Sequence, residues 1–169
     1  MAKSTLIDRD LGWRELFQKV TRGGEAYAKV GIQQDTKRDP EDGKSPADMV
    51  QIGAIHEFGA PKAHIPERSF IRAWHDSAKE RITRLQARLG AQFIDGKITL
   101  KQMIDKLGVF GQGGIRKFIR DLKEPELKAS TVAARRKASD NPLVDTGQLV
   151  GSIHSVSVLR GVEVGRTGP

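Results

Sequence analysis

The residues best suited to chemistry are a single Asp-Thr-Gly triplet. The run Asp145-Thr146-Gly147 follows the apolar pair Leu143-Val144, and aspartic proteases use two such loops whose carboxylates share one proton. This chain has one copy, so a protease would need a second subunit, and Gln148 stands where those proteases have a small residue. In the simpler interpretation, Asp145 or Thr146 caps a short helix that leads into the next strand. The sequence favours this structural cap over a catalytic carboxylate.

Other catalytic and metal-binding patterns are weak. The four histidines are not spaced four residues apart, and His56-Glu57 lacks the second histidine of His-Glu-x-x-His. No serine has the surroundings of a nucleophile elbow. Cysteine is absent, which excludes disulfides, zinc knuckles and thiol catalysis. The run Gly111-Gln-Gly-Gly114 is not followed by Gly-Lys-Ser/Thr, so it is not a phosphate loop. The sequence predicts no enzyme, no metal and no cofactor.

Composition predicts one domain, residues 1–169, with a thin core. Apolar residues make up 37% and charged residues 30%, which is typical of a small subunit that buries more surface against neighbours. No apolar run reaches the roughly 18 residues of a membrane span, and the first twelve residues lack the apolar stretch of a signal peptide. We therefore expect no membrane contact and synthesis in the cytoplasm.

The net charge of +8 is confined to the middle of the chain. Residues 67–140 hold seventeen Lys/Arg and nine Asp/Glu, whereas residues 1–66 and 141–169 each balance. Such asymmetry indicates that the partner is a nucleic acid, an anionic membrane or an acidic protein surface. The alternative is a set of solvated helix faces.

Hydrophobic periodicity predicts an α+β protein. Strands are expected over 25–33 and after residue 152, the latter as a hairpin that turns at Arg160-Gly161. Between them we expect a helix that starts at Ser45, a long helix over 69–94, and a helix over 99–122 that opens with the capping box Thr99-Leu-Lys-Gln102. An N-terminal helix from Asp8 or Asp10 to Gly23 precedes the first strand, and its apolar stripe is Trp13, Leu16, Phe17 and Val20. The result is a small antiparallel sheet of N- and C-terminal strands, packed with several helices, two of them long.

Three details of these elements bear on function. Exposed loops are expected at about 34–44, 59–68 and 123–142. Arg81, Arg84 and Arg88 form a stripe beside the apolar face of the long helix. Gly111 and Gly114 share the apolar face of the next helix, which predicts that another backbone approaches closely there.

Three segments in order resemble a known family. They are Ile52-Gly-Ala-Ile-His-Glu-Phe-Gly59, Ile65-Pro-Glu-Arg-Ser-Phe-Ile71, and Asn141-Pro-Leu-Val-Asp-Thr-Gly-Gln-Leu149 with Ser152-Ile153. Together they resemble the tail-completion and minor tail-component (virion morphogenesis) proteins of long-tailed bacteriophages. Val30-Gly31-Ile32 and the glycine-rich helix fit the same pattern, so the likeness covers most of residues 28–159.

The resemblance implies a structural virion protein without catalytic residues. Such a protein would be made in the bacterial host and would act at the head–tail junction, or neck, as a subunit of a homo-oligomeric ring, with a hexamer favoured. It would complete the tail, join it to the head, and contact other neck and tail proteins and DNA that passes through the ring. From the residues, we expect Ile65, Pro66 and Arg68 in the loop and Arg81, Arg84 and Arg88 on the long helix to make the contacts. The alternative is a DNA-binding accessory protein that uses the basic segment 67–140.

Overall fold

The computed structural model describes residues 12–33, 48–133 and 141–167. Its elements follow the chain as α1 (Trp13–Gly23), β1 (Ala26–Ile32), α2 (Met49–Phe58), a 3₁₀ turn (Pro61–Ala63), α3 (Ile71–Ile94), α4 (Leu100–Asp121), α5 (Ala129–Ala133), α6 (Gln148–Gly151), β2 (Ile153–Leu159) and β3 (Val162–Thr167). The predicted α+β class is confirmed, with an antiparallel sheet from the two ends of the chain and two long helices between them. The predicted loop 34–44 lies outside the described residues.

The sheet has the order β1-β2-β3, with both pairings antiparallel. β1 pairs with β2 from Ala26 opposite Leu159 to Ile32 opposite Ile153. Arg160 and Gly161 have positive φ angles of 52° and 77°, as a two-residue hairpin turn requires. The central strand thus joins the N-terminal and C-terminal parts of the chain.

Helix α4 lies across one face of β1 and β2, with α3 beside it. It opens with the predicted capping box, because the Thr99 hydroxyl accepts from Gln102 N and the Gln102 side chain accepts from Thr99 N. The prediction that another backbone approaches α4 at Gly111 and Gly114 is wrong, because side chains approach the helix there. An added Cβ would lie 3.0 Å from Val30 Cγ2 at Gly111 and 2.3 Å from Trp74 Nε1 at Gly114.

Helix α2 starts later than the sequence suggested. Its N-cap is Asp48, whose carboxylate accepts from Val50 N at 2.8 Å. The prediction of a start at Ser45 is therefore wrong: Asp48 supplies the acceptor that a first turn needs and has an extended backbone. Ser45 itself lies outside the described residues.

The core lies where α3 and α4 meet the sheet and the C-terminal segment. Its buried side chains come from six parts of the chain, and they are Met49, Phe70, Trp74, Ala78, Ile115, Ile119, Leu143, Leu149 and Ile153. Phe70 from the second motif and Leu143 and Leu149 from the third thus belong to one cluster. The segments that carry the family resemblance contribute to the core of this fold.

Candidate interaction surfaces

A buried carboxylate joins the first two motifs. Glu57, near the end of α2, is only 7% exposed, and its oxygens lie at the N-terminus of α3. They accept hydrogen bonds from Ser69 Oγ (2.8 Å), Phe70 N (2.8 Å), Ile71 N (2.9 Å) and Arg72 N (3.0 Å). The first turn of a helix leaves its N–H groups unpaired and carries partial positive charge. Glu57 therefore acts as the cap of α3 from a different helix.

Sequence reasoning did not find this role. The available signal was an acidic residue among the apolar residues of α2, followed twelve residues later by the Ser69 at which the next helix was expected to start. The four hydrogen bonds that the Glu57 carboxylate accepts connect the end of α2 to the start of α3. This contact gives the first two motifs a shared structural function.

The segment 59–68 is folded back on itself. Ala60 and Ile65 form an antiparallel bridge through bonds of 2.9 and 3.1 Å, and the turn Pro61–Ala63 lies between them. At Gly59, with φ of +74°, an added Cβ would meet Glu67 N at 2.9 Å, so only glycine fits. Pro66 is exposed and Ile65 is half-buried. Both residues are therefore accessible at least in part, and their role as contact residues stays a prediction.

Arg68 does not fit the contact role predicted for it. Its side chain lies inside the protein and the residue is only 5% exposed. The guanidinium donates to the carbonyl oxygens of Pro125 (3.0 Å) and Glu126 (3.3 Å). Arg68 therefore connects the start of the 123–142 segment to the loop between α2 and α3. That segment is also not exposed throughout, since Asn141 and Pro142 are buried.

The arginine stripe on α3 lies at the surface. Arg81, Arg84 and Arg88 are all exposed, and Arg84 forms a pair with Glu80 at 3.3 Å between side chains that are 74% and 90% exposed. Within the described part of the chain, Arg81 and Arg88 have no ion-pair partner. An exposed pair contributes little to stability, so the stripe is available for an outside partner.

An apolar groove lies beside β1. Its volume is about 950 Å³, and it lies between β1, α2, α3 and α4. Apolar side chains line it, among them Ile32, Ile71, Ile82, Met103 and Leu107. Among the described strands, only β2 pairs with β1, and residues of β1 from Ala26 to Ile32 line the groove. We call this surface the β1 groove.

A polar seam lies between α4 and the sheet. The Asp105 carboxylate accepts from Ser157 Oγ at 2.6 Å and from Lys101 Nζ at 2.8 Å. Burial acts to raise the pKa of Asp105, but the hydrogen bonds from Lys101 and Ser157 outweigh it and lower the pKa below its ordinary value. The seam continues from Gln112 through Thr167 to Ser155. These hydrogen bonds hold α4 against the sheet.

The predicted cap at Asp145 or Thr146 is wrong. The N-cap of α6 is Gly147, with φ of +85° and no side-chain hydrogen bond to the helix. Asp145 Oδ1 instead lies buried, and it has no hydrogen-bond partner among the described residues. Glycine occupies the cap because the chain turns there through a left-handed conformation.

Removal of the Asp145 carboxylate should therefore not destabilise the protein. A side-chain cap is worth about 0.5–2 kcal/mol, whereas a buried oxygen without a partner costs about 1–3 kcal/mol of desolvation. We expect Asp145→Ala and Asp145→Asn to keep or raise the free energy of unfolding measured in urea. If the free energy of unfolding falls by about 1 kcal/mol or more in Asp145→Ala but not in Asp145→Asn, the side chain of Asp145 does act as a cap.

The described residues contain no group of three His, Asp or Glu side chains that could hold a metal ion. Among the helices in the described ranges, none is long and apolar enough to cross a membrane. The surfaces with room for a partner are the β1 groove, the arginine stripe and the 59–68 loop. Comparison of the chain with protein-family models, curated proteins and solved structures found no match.

Proposed function

We propose that this protein is a structural subunit of a bacteriophage neck, where it forms a homo-oligomeric ring that completes the tail and joins it to the head. The observation that carries the proposal is that the three motifs behind the family resemblance meet in one structural unit. Glu57 of the first motif caps the helix that begins in the second. Phe70 of the second motif and Leu143 of the third share the core.

These motif residues act on the fold itself. The buried side chains of Glu57 and Arg68 bond to backbone groups of the same chain, and Asn141 donates to the carbonyls of Ile119 and Arg120. Contacts of this kind hold the helices of one subunit in place, which is what a ring subunit needs. The surfaces left for partners are then the β1 groove, the arginine stripe and the loop with Ile65 and Pro66.

The arginine stripe offers the test of this proposal. We expect the triple variant Arg81→Gln, Arg84→Gln, Arg88→Gln to fold with nearly unchanged stability, since the single ion pair of Arg84 is worth only about 0.2–0.5 kcal/mol. Complementary charge accelerates encounter between partners. The variant should therefore lower the yield of joined, infectious particles when it replaces the wild-type protein in the phage that encodes it. The measurement is particle yield by electron microscopy and plaque count.

A matched control is the variant Lys79→Gln, Lys106→Gln, Lys128→Gln, which removes three exposed charges that do not belong to the stripe. It should leave particle yield close to that of the wild type. If the arginine variant gives the normal yield of joined particles, the stripe is a solvated helix face and takes no part in assembly.

Arg81 and Arg88, which have no ion-pair partner among the described residues, also favour the second candidate, a DNA-binding accessory protein. Each phosphate contact contributes about −0.9 to the slope of log affinity against log salt on duplex DNA. Three arginines on phosphate would therefore give a slope that becomes less steep by about 2.7 in the triple variant. Loss of particle joining without duplex binding supports the ring; duplex binding with this change in slope supports the alternative.

A further inference from the structure

A further exposed surface of the protein is the outer edge of the sheet at β3. Among the described strands, β3 pairs with β2 alone, so its other side is an edge of this sheet. Glu163 and Arg166 are exposed, and Val162 is 62% exposed. A sheet of three strands is small beside the roughly five or six strands of an average sheet. An exposed edge strand is a template for pairing with another strand.

A β-bulge sets which side chains of β3 share a face of the sheet. The register shifts by one residue at Val164, between Glu163 and Gly165. In a regular strand Glu163 and Arg166 would point to opposite faces, because they are three positions apart. The extra residue removes this difference, so the carboxylate and the guanidinium lie on the same face.

That face is the one turned away from α4. Arg166 lies opposite Val156 of β2, and Glu163 lies opposite Val158. Ser157, between the two valines, points the other way, where its hydroxyl donates to a carboxylate of α4. The two charged side chains of β3 therefore extend side by side from the face of the sheet opposite α4.

We propose that β3 pairs antiparallel with β3 of a second copy of this chain, about a two-fold axis at the bulge. In this register Glu163 lies opposite the partner's Arg166, and Arg166 lies opposite the partner's Glu163. On the face towards α4, Val162 lies opposite the partner's Thr167. The edge strand is thus complementary to itself, as a contact between identical surfaces requires.

Charge favours this register over its neighbours. Opposite charges directly across two strands stabilise a pair, whereas like charges there are destabilising. A register that places Glu163 opposite the partner's Glu163, or Arg166 opposite the partner's Arg166, brings like charges together. Edge strands commonly avoid pairing with other chains by carrying lysine, whereas β3 carries one charge of each sign at the spacing that matches its own copy.

The pairing joins two three-stranded sheets into one antiparallel sheet of six strands. Main-chain hydrogen bonds supply the affinity of such a contact, and side chains supply its specificity. Helix α4 packs mainly on β1 and β2, so the new junction lies to one side of both copies of α4. A two-fold contact pairs two copies and closes, so this contact is separate from the one that repeats around the proposed ring.

Charge reversal tests the contact, because two defective variants should rescue each other. Glu163→Arg places positive charge at both positions, and Arg166→Glu places negative charge at both. Each variant then sets like charges opposite its own copy, and we expect it to pair at least about tenfold more weakly than the wild type. In an equimolar mixture of the two variants, every positive charge lies opposite a negative one, so pairing should return to about the wild-type level.

The matched controls are Glu80→Arg and Lys79→Glu, which reverse exposed charges on α3 and should pair like the wild type. Mass is measured on the full chain by light scattering after size exclusion, over a concentration series. The wild type should reach an even multiple of the chain mass, and each single reversal should have half that mass at the same concentration. A variant that is merely misfolded cannot be rescued by mixing, so the mixture separates a lost contact from a lost fold.

Amide hydrogen exchange of β3 supplies a second measurement. Protection of the β3 amides should rise with concentration in the wild type and in the mixture, but in neither single reversal. Three results would overturn the inference: a mass that is the same in the wild type and in Glu163→Arg, a mixture that associates no better than its components, and β3 protection that is independent of concentration. The inference and the proposed function fail separately, because mass and exchange decide the pairing, whereas the yield of joined particles decides the neck role.

Discussion

Glu57→Ala should be among the most destabilising single substitutions in this protein. The carboxylate is buried and accepts from Ser69 Oγ and from three backbone N–H groups at the start of α3. A hydrogen bond to a charged group contributes about 1.5–3 kcal/mol, and a buried donor left without an acceptor loses its solvation as well. We expect the free energy of unfolding to fall by at least about 3 kcal/mol, a large share of the roughly 5–15 kcal/mol that stabilises a domain.

Urea denaturation followed by circular dichroism measures this loss. Glu57→Gln should lie between wild type and alanine, because one of its two terminal atoms still accepts while the other becomes a donor. The matched control is Glu80→Ala on the exposed side of α3, where the side chain is 90% exposed and the change should cost less than about 0.5 kcal/mol. Equal effects of Glu57→Ala and Glu80→Ala would disprove the capping role of Glu57.

Gly114→Ala should destabilise the protein, although alanine is the better helix former. An added Cβ would lie 2.3 to 2.6 Å from the Nε1, Cε2 and Cζ2 atoms of Trp74, and Trp74 belongs to the buried core. A rigid indole can move aside only if its neighbours move too, and overpacking of this kind costs about 1–3 kcal/mol or more. The gain in helix propensity of about 1 kcal/mol offsets only part of this cost.

Gly113→Ala is the control at the adjacent position of the same helix. Gly113 is exposed, and an added Cβ would meet nothing within 4 Å. We expect Gly113→Ala to stabilise the protein by up to about 1 kcal/mol, opposite in sign to Gly114→Ala. If both alanine variants stabilise the protein, Trp74 does not pack against the Gly114 backbone as described.

Local patterns in the sequence predicted the elements well. The capping box needed only Thr99 and Gln102, which lie three residues apart. The alternation of Ala26, Ala28, Val30 and Ile32 was enough to find β1. In each case the signal in the sequence lies within one turn or along one strand.

The connections between elements were not predictable in this way. The contact of Gly114 with Trp74 spans forty positions, and nothing in either local pattern names the partner. Asp145 shows the opposite error: its position before α6 suggested a cap, but Gly147 takes that place and the carboxylate turns inwards. Arg68 was expected at the surface as a contact residue of the 59–68 loop, yet its hydrogen bonds to the carbonyls of Pro125 and Glu126 hold it inside.

The pairing of β1 with β2 sets the order in which this chain can fold during its synthesis. β1 ends at Ile32 and β2 begins at Ile153, so the ribosome must add about 120 residues before the sheet can start to form. At roughly 5–20 residues per second, that interval is about 6–24 s. The α3–α4 hairpin is made of local contacts and can form much earlier. During the interval, the part of the α4 face that later covers β2 lacks its partner, and this is the period in which a nascent subunit is most exposed to aggregation and most in need of a chaperone.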